Sequence, residues 1–515
     1  MRHLLKSIKL KIVGIALSLL FFQPEIMYAH GFGERYDLPV PFNYFMVAAA
    51  STVLLSFVFM AYFIRTTSIS YSYLRFNLYS VVGFRKIFAI ITTVSKLFAV
   101  LLFLLVILTG FFGTKEPLDN FAPTFVWIIW WVGIVFFTAL LGNVWLILNP
   151  WLILYTVYEK FSSRQSLLLT WPKNFDAWPA VTFYLMFCWI ENVYVQSSQP
   201  FNLAVLILIY TVLTFTGMFV FGKHVWLRNA DPFFVLFQLF SKFSPIEFRV
   251  INENCVHKNN NGQINTNLLM PVLYSTDCLQ CWENCDADKK EINIRPWFVG
   301  LASGGRVNVS IMVFHIIALA TVTFDGFSET PAWVGIQNLL WPIVSPLPGS
   351  TVGIISSLGI FLIPIFSGLV YVWVCSKVSK FSNNKISTSE VILRFVFSLV
   401  PIAIAYNFSH YISFIVITGQ NIIPLLSDPF GFGWNLIGTS NYIPYLTIID
   451  AQFVWLFSLA VLVIGHVISV YIAHVIVLRY SVSHARAIKS QIPMLILMVF
   501  YTVASLWIIA QPIIE

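Results

Sequence analysis

The chain has 515 residues, of which 58% are hydrophobic, 17% aromatic and only 10% charged. This composition lies far outside that of soluble globular proteins and predicts an all-α polytopic bundle of transmembrane helices, with the lipid bilayer as its first partner. The formal net charge is +8. Membrane proteins concentrate basic residues beside their spans, so this charge does not indicate nucleic-acid binding.

Residues 1–29 have the anatomy of a secretory signal peptide. Four basic residues precede an apolar run from Ile12 to Phe22, and a short polar stretch ends at Ala29. Cleavage after Ala29 would leave His30 as the mature N-terminus, and the alternative is an uncleaved membrane anchor. A free N-terminal histidine offers its amine and imidazole together, which is a chelate suited to Cu.

Apolar runs long enough, or nearly long enough, to cross a membrane core of about 30 Å recur ten times after this segment. They lie near residues 42–64, 88–112, 123–147, 178–195, 201–221, 307–325, 351–374, 391–417, 450–477 and 492–511. We therefore predict five spans over 30–221, a cytoplasmic amphipathic and Cys-rich segment over 222–306, and five further spans over 307–515.

The distribution of Lys and Arg predicts the orientation of these spans, because positive residues stay in the cytoplasm near helix ends. Beyond the signal peptide, 23 basic residues fall on one side and two, Arg35 and Lys115, on the other. We therefore expect a protein of the bacterial inner membrane with both mature termini in the periplasm. The periplasmic side is acidic, which fits a site for a cation or an electrophile, or reflects only this charge bias and helix capping.

The predicted cytoplasmic segment contains a cluster of thiols and an imidazole. Its members are Cys255, His257, Cys278, Cys281 and Cys285. This density suits a structural zinc site in which Cys278 and Cys281 form one knuckle. One Cys-x-x-Cys pair is not a standard zinc ribbon, so free thiols and a redox or iron–sulfur site stay open. A cytoplasmic location disfavours structural disulfides.

Ionisable residues inside the apolar runs indicate a candidate site, because such groups are costly in lipid and usually face a cavity or the bundle interior. At 1.5 Å per residue, His410 lies about 28 Å from the cytoplasmic start of its helix, in the outer half of the membrane. Asp325 ends the preceding span and Asp450 begins the next, so these three residues can meet near one depth. Asn407 lies one turn before His410 on the same helix face.

We predict that His410, Asp325 and Asp450 bind a divalent metal, with Zn as the first candidate, and activate water. Under this hypothesis Asp428 or Glu329 orients or deprotonates the water. The residues expected to contact a small apolar substrate are Asn407, Trp333 and Trp434. The alternative is an interhelical hydrogen-bond network that holds the bundle together.

Further ionisable groups lie in or near the spans. His466 and His474 are eight residues apart and so project from roughly one helix face. A second buried site, a proton path and plain helix packing are all open for them. His315 lies about 15 Å below Asp325 along its helix, and Glu191 belongs to the acidic outer side.

Several stretches together resemble a family of bacterial integral membrane proteins labelled fenitrothion hydrolase. They are AHGFGERYDLPVP, LGNVWLILNPW, ATVTFDGFSETPAW, SHYISFIVITGQNIIPLLSDPFGFGWNL and GHVISVYIAHVIVLR. The resemblance covers most of the chain in the same order. It implies hydrolysis of an organophosphorus triester with release of a nitrophenol, although a man-made compound cannot be the natural substrate.

The sequence therefore predicts an inner-membrane, metal-assisted hydrolase-like protein. Histidines at several depths favour a rival interpretation, a metal-ion or proton-coupled transporter whose substrate is the ion itself. A third interpretation is a membrane assembly or scaffold protein that recruits partners through the Cys-rich segment.

Overall fold

The computed structural model describes residues 29–31, 34–36, 39–65, 73–162, 168–251, 274–303, 305–382, 386–481 and 483–511. Nearly all of the predicted signal peptide lies outside these ranges, as do Cys255 and His257. Helices make up 74% of the structure and strands very little of it. The predicted all-α membrane bundle is therefore confirmed.

The helices follow one another in chain order along the described residues. They are α1 (Phe42–Phe63), α2 (Val82–Phe112), α3 (Phe121–Leu140), α4 (Trp145–Leu148), α5 (Pro150–Phe161), α6 (Trp178–Asn192), α7 (Pro200–Phe221), α8 (Lys223–Asn229), α9 (Pro232–Phe240), α10 (Leu279–Asn284), α11 (Val299–Ala302), α12 (Val309–Ser328), α13 (Pro331–Val344), α14 (Thr351–Phe381), α15 (Thr388–Val416), α16 (Ile422–Ser427), α17 (Ala451–Tyr480) and α18 (His484–Ala510). Two are composite, because α3 is π-helical over Thr124–Val132 and α15 is 3₁₀-helical over Val396–Leu399.

Six short strands complete the described structure. They are β1 (Ala29–Gly31), β2 (Glu34–Tyr36), β3 (Phe76–Asn77), β4 (Ile246–Ile251), β5 (Tyr274–Thr276) and β6 (Lys290–Ile294). The first two pair as an antiparallel hairpin, and the other four form an antiparallel sheet in the order β3-β6-β4-β5.

Within the described ranges, nine helices are long and apolar enough to cross a membrane. They are α1, α2, α3, α7, α12, α14, α15, α17 and α18. Nine of the ten predicted spans coincide with them. The tenth, predicted near 178–195, forms α6, whose 15 residues fall short of the 20 or so that a bilayer core requires.

The spans differ widely in how much protein surrounds them. In α2 only 6% of the most apolar window is buried inside the protein, whereas in α15 the buried share is 83%. An apolar helix that the protein does not cover must face lipid, and one that is nearly enclosed must be central to its neighbours. The helix that contains His410 is therefore the most protein-enclosed of the nine.

The chain divides into two compact units. The first comprises residues 1–67, 319–413 and 447–515, and the second comprises 68–318 and 414–446. A core cluster of the first unit gathers side chains from α1, α12, α15, α17 and α18 around the fully buried Tyr406. A core cluster of the second unit gathers side chains from α2, α3, α7 and α16 around Phe121.

Glycine residues allow close helix contacts in both units. In the second unit a Cβ built on Gly110 of α2 would lie 2.6 Å from the Cβ of Ala204 on α7. In the first unit a Cβ on Gly465 of α17 would lie 2.5 Å from the Cβ of Ala405 on α15. Small residues at such contacts let helix backbones approach closely, which replaces the hydrophobic driving force that lipid removes.

The four-stranded sheet of the second unit is organised around a buried carboxylate. Glu247 on β4 is fully buried, and its Oε2 lies 2.7 Å from Arg295 Nη1. Its Oε1 lies 2.6 Å from Arg75 Nε, and Tyr73 donates a 2.7 Å hydrogen bond to Oε2. Asn293 of β6 adds a further hydrogen bond. A buried charge is tolerated only when it is paired and hydrogen-bonded in this way.

Burial alone would raise the pKa of Glu247, but Arg295 and the hydrogen bonds from Tyr73 and Arg75 outweigh it and hold the pKa below its ordinary value. A carboxyl whose pKa is lower in the folded than in the unfolded state stabilises the fold above the unfolded pKa, about 4.3 for Glu. That contribution is lost as the pH falls through the lower, folded pKa.

We predict that Glu247→Gln destabilises the sheet by about 3 to 5 kcal/mol at neutral pH, because it removes the buried carboxylate that forms ion pairs with both Arg295 and Arg75. The measurement is thermal unfolding of the purified full chain in detergent over a pH series. The wild type is expected to lose stability below about pH 4, and the variant should lack that part of the dependence.

The matched control is Asp286→Asn, because the Asp286 carboxylate is 81% exposed and 3.7 Å from Lys289. An exposed ion pair contributes only about 0 to 1 kcal/mol, so this change should leave the unfolding midpoint in place. Equal stability of Glu247→Gln and the wild type at neutral pH would contradict the role given to Glu247.

Candidate functional site

Asp325 and His410 come together in the first unit. Asp325, near the end of α12, has its Oδ2 atom 3.0 Å from Nε2 of His410 on α15. The phenol of the adjacent Tyr411 donates a 2.5 Å hydrogen bond to the same oxygen. An ionised carboxylate can only accept, so Nε2 of the imidazole carries the hydrogen in this arrangement. The Asp325 and His410 side chains are 20% and 15% exposed, so the pair is largely buried but not sealed.

Gly326 makes room for this pair. A Cβ built on Gly326 would lie 2.8 Å from Tyr406 Oη, 3.3 Å from Ile508 Cγ2 and 3.4 Å from His410 Nδ1. The Tyr406 ring centroid lies 6.3 Å from that of His410, and its buried Oη has no hydrogen-bond partner among the described residues. A buried polar atom without a partner is uncommon in proteins and marks a place where a polar molecule is favoured.

Glu329 supplies a second carboxyl next to the pair. It lies four residues after Asp325, just beyond the last residue of α12. Glu329 keeps an exposed surface, and partial desolvation raises its pKa; His410 lowers the pKa and the Asp325 carboxylate raises it. The predicted role of Glu329 in orienting or deprotonating water stays a prediction.

Asp450, the predicted third ligand, has a different local role. Its side chain is exposed, and its Oδ1 accepts a 2.7 Å hydrogen bond from the backbone N–H of Phe453, which caps the start of α17. Across the ranges that the structure describes, no group of three or more His, Cys, Asp or Glu side chains is placed to hold a metal ion. Asp325 and His410 are thus assembled as a pair, and Asp450 is not part of a three-ligand group.

Two residues of the first unit that were predicted to contact substrate, Trp333 and Asn407, make contacts within the protein. Trp333 on α13 is 5% exposed, and its ring packs edge-on against Phe324 at 5.1 Å. A Cβ on Gly359 would lie 2.5 Å from the Trp333 ring, so α14 also closes over it. Asn407 donates a 2.8 Å hydrogen bond to the Ala403 carbonyl of its own helix.

Three other predicted site residues belong to the second unit. Asp428 organises the loop after α16, because its carboxylate accepts hydrogen bonds from the backbone N–H groups of Phe432 and Gly433 at 2.9 and 2.6 Å. Trp434 is 42% exposed and packs on Phe430 and Phe432. Glu191, in α6, accepts a 2.5 Å hydrogen bond from the indole of Trp131.

The other histidines in the spans contact helix backbone or neighbouring amides. Nδ1 of His315 lies 2.6 Å from the Ile311 carbonyl oxygen, and Nδ1 of His466 lies 2.8 Å from that of Leu462. His474 lies between Gln491 Oε1 at 3.1 Å and the Ile64 carbonyl oxygen at 2.9 Å. His474 therefore links the end of α1 with α17 and α18. His30 lies in β1, and its side chain is outside the described structure.

Two cysteines of the predicted zinc site are bonded to each other. A disulfide joins Cys278 to Cys281, and the buried Cys285 packs with Cys281 and Val250. The predicted cytoplasmic location of this segment does not favour a structural disulfide, so the role of this bond is a separate question. Cys255 and His257 lie outside the described residues, so the zinc site stays a prediction.

Sequence reasoning missed Tyr411, Tyr406 and Gly326. Tyr411 follows His410 directly, and adjacent helical residues do not share a face, so spacing gave no reason to bring both onto one carboxylate. The retrievable signal was Asp325-Gly326, because a glycine beside a buried carboxylate in a span indicates close approach by another helix.

Comparison of this chain with protein-family models, with curated proteins and with solved structures finds no match. The class of protein therefore follows from the fold, which is that of an all-α polytopic membrane protein.

We predict that Gly326→Ala destabilises the purified protein by about 1 to 3 kcal/mol, because the added methyl overpacks against Tyr406 and approaches His410. Gly335→Ala on α13 is the matched control, because no atom lies within 4 Å of its added Cβ. Alanine has the higher helix propensity, so Gly335→Ala should be neutral or slightly stabilising. Thermal unfolding in detergent measures both, and equal effects of the two changes would contradict the crowding at Gly326.

Proposed function

We propose that this chain is a membrane hydrolase-like enzyme in which Asp325 and His410 act as a general base that activates water against an apolar phosphotriester. The observation that carries the proposal is the 3.0 Å contact between Asp325 Oδ2 and His410 Nε2 in a largely buried setting. The resemblance to proteins labelled fenitrothion hydrolase supplies the substrate class. The location proposed with it is the bacterial inner membrane, with the site toward the periplasm.

In this mechanism Asp325 fixes the orientation and tautomer of the imidazole, and His410 takes a proton from water. The nucleophilic oxygen forms a bond to phosphorus as the bond to the aryloxide breaks, and the imidazolium returns the proton to the departing aryloxide. The products are a phosphodiester and a phenol, so atoms and charge balance. The Asp325 carboxylate stabilises the imidazolium in between, as the carboxylate of a Ser-His-Asp triad does.

The predicted metal is not needed for these steps. Catalytic zinc sites have three protein ligands and an open position, and the described residues bring together two of the three ligands predicted from the sequence. These donors do not fit a resident catalytic metal, so no step is derived through one.

A buried polar pair suits an apolar substrate. A triester partitions into lipid and can reach a site inside a bundle from the bilayer rather than from water, and exclusion of water strengthens the interaction between Asp325 and His410. Glu329 and Tyr411 are further polar groups beside the pair, and we assign them to positioning.

A second candidate, a proton-coupled transporter, is favoured by a different observation. His466 on α17 is fully buried, and its Nε2 has no hydrogen-bond partner among the described residues. Its ring centroid lies 6.0 Å from that of Tyr501, whose hydroxyl is hydrogen-bonded to Thr323 on α12. Polar groups therefore extend from the level of Asp325 into the interior of the first unit, as a proton path requires.

For the leading proposal, Asp325→Asn and His410→Asn should each lower kcat/KM by about 10²- to 10⁴-fold, because each removes the base or its orienting partner. The assay is release of nitrophenolate from a dialkyl nitrophenyl phosphotriester by the full chain in liposomes. Asp450→Asn is the matched control, because asparagine caps a helix as well as aspartate does.

Three outcomes would overturn the assignment of this pair. They are a wild-type protein with no hydrolysis, a His410→Asn variant with the wild-type rate, and an Asp450→Asn variant as impaired as Asp325→Asn. The last result would restore the three-ligand metal site predicted from the sequence.

For the transporter, the full chain in liposomes should dissipate an imposed pH gradient, measured with an enclosed pH-sensitive dye, and His466→Leu should abolish that flux. Trp333→Phe is the control, because it removes another buried N–H without a partner among the described residues while keeping an aromatic ring. Hydrolysis without proton flux would eliminate the transporter.

A further inference from the structure

Two cysteines outside the candidate site are positioned for chemistry with each other. Cys278 precedes α10 directly, and Cys281 lies in its first turn. A disulfide joins the two side chains, and the backbone N–H of Cys281 points at the Cys278 sulfur at 3.3 Å. An N–H directed at a cysteine sulfur stabilises the thiolate form when the bond is open, and the thiolate is the reactive species.

The two sulfurs differ in their access to solvent. Cys281 is 6% exposed, and Cys278, directly before the start of α10, is partly exposed. Cys285, one turn further, is 7% exposed and packs with Cys281 and Val250. An incoming reagent therefore meets Cys278 first, and Cys281 lies behind it in position to resolve the product.

The predicted location of this segment indicates what kind of disulfide the pair forms. The excess of basic residues predicts that the segment faces the cytoplasm, where thiols are kept reduced and disulfides are transient, catalytic or redox-sensing. A permanent structural bond between two residues three positions apart would also close only a very short loop, which contributes little to the stability of the fold.

We propose that Cys278 and Cys281 are a reversible thiol–disulfide pair that exchanges with a low-molecular-weight disulfide. The Cys278 thiolate attacks one sulfur of the small disulfide, a mixed disulfide forms, and the first thiol leaves as its thiolate and takes up a proton. Cys281 then attacks the Cys278 sulfur and releases the second thiol. The protein dithiol loses two electrons, and the small disulfide gains them.

Charged contacts on the same helix connect this pair with neighbouring helices of the second unit. Glu283 on α10 lies 3.0 Å from Lys223 Nζ and 3.3 Å from His224 Nε2, both at the start of α8. Lys223 also lies 2.9 Å from Glu159 on α5. Ion pairs thus join α10 to α8 and α8 to α5. A conformational change in the first turn of α10 can be transmitted through Lys223 to both helices.

The test uses a peptide that the sequence itself provides. Trypsin cleaves after Lys258 and Lys289, which gives one peptide, residues 259–289, that contains Cys278, Cys281 and Cys285 but not Cys255. The reduced full chain in detergent is incubated with oxidised glutathione, alkylated and digested with trypsin. Mass spectrometry then gives the number of alkyl labels on the peptide. We expect this peptide to lose two of its three alkyl labels, to keep the label on Cys285, and to recover all three after incubation with reduced glutathione.

Two variants assign the roles of the sulfurs. Cys281→Ser should stop at a glutathione adduct on Cys278, whereas Cys285→Ser should still form the disulfide. Both are compared with the wild type by size-exclusion chromatography, so that a misfolded variant is recognised. The wild-type result stands on its own if either variant fails to fold.

The outcomes that overturn the proposal are equally specific. The peptide could keep all three labels at every ratio of oxidised to reduced glutathione, or the new bond could join Cys285. Alternatively, the purified protein could contain one zinc that prevents oxidation until it is chelated and that Cys278→Ser removes, in which case the pair is half of the predicted zinc site. None of these results bears on the role of Asp325 and His410.

Discussion

The absence of water inside a bilayer is the constraint on which this structure depends. A polar group in a span is costly unless it finds a partner within the protein, because lipid offers none. Asp325 illustrates the solution, since one carboxylate oxygen accepts hydrogen bonds from both His410 and Tyr411. The same requirement explains why the helix that contains His410 is so thoroughly enclosed by protein.

Properties encoded locally were predictable from the sequence. Nine of the predicted spans match observed helices because hydropathy and length alone determine them. Counting residues along each helix also brought Asp325 and His410 to one depth, and the structure places them in contact. Asp450 lies at the start of α17. A residue at that depth can cap the helix or bind a metal, so its depth in the membrane could not distinguish these two roles.

Properties that depend on helix rotation and on distant pairing were not predictable. Tyr411 and the preceding residue His410 both hydrogen-bond Asp325. Whether both side chains can reach it depends on how α15 is rotated about its axis relative to α12. The sheet around Glu247 joins strands separated by more than 200 residues, from β3 to β6. In both cases the partner of each residue is set by three-dimensional packing, which spacing along one chain does not contain.

The long helix α2 has a consequence for the surrounding membrane. Its 31 residues extend about 46 Å at 1.5 Å per residue, well beyond a hydrocarbon core of about 30 Å. Since so little protein covers this helix, the mismatch is borne by lipid and must be met by tilting, by protrusion of its basic first turns, or by local thickening of the bilayer. The lipid-facing surface of α2 is thus sensitive to membrane thickness, whereas α15 is insulated from that variable by its neighbours.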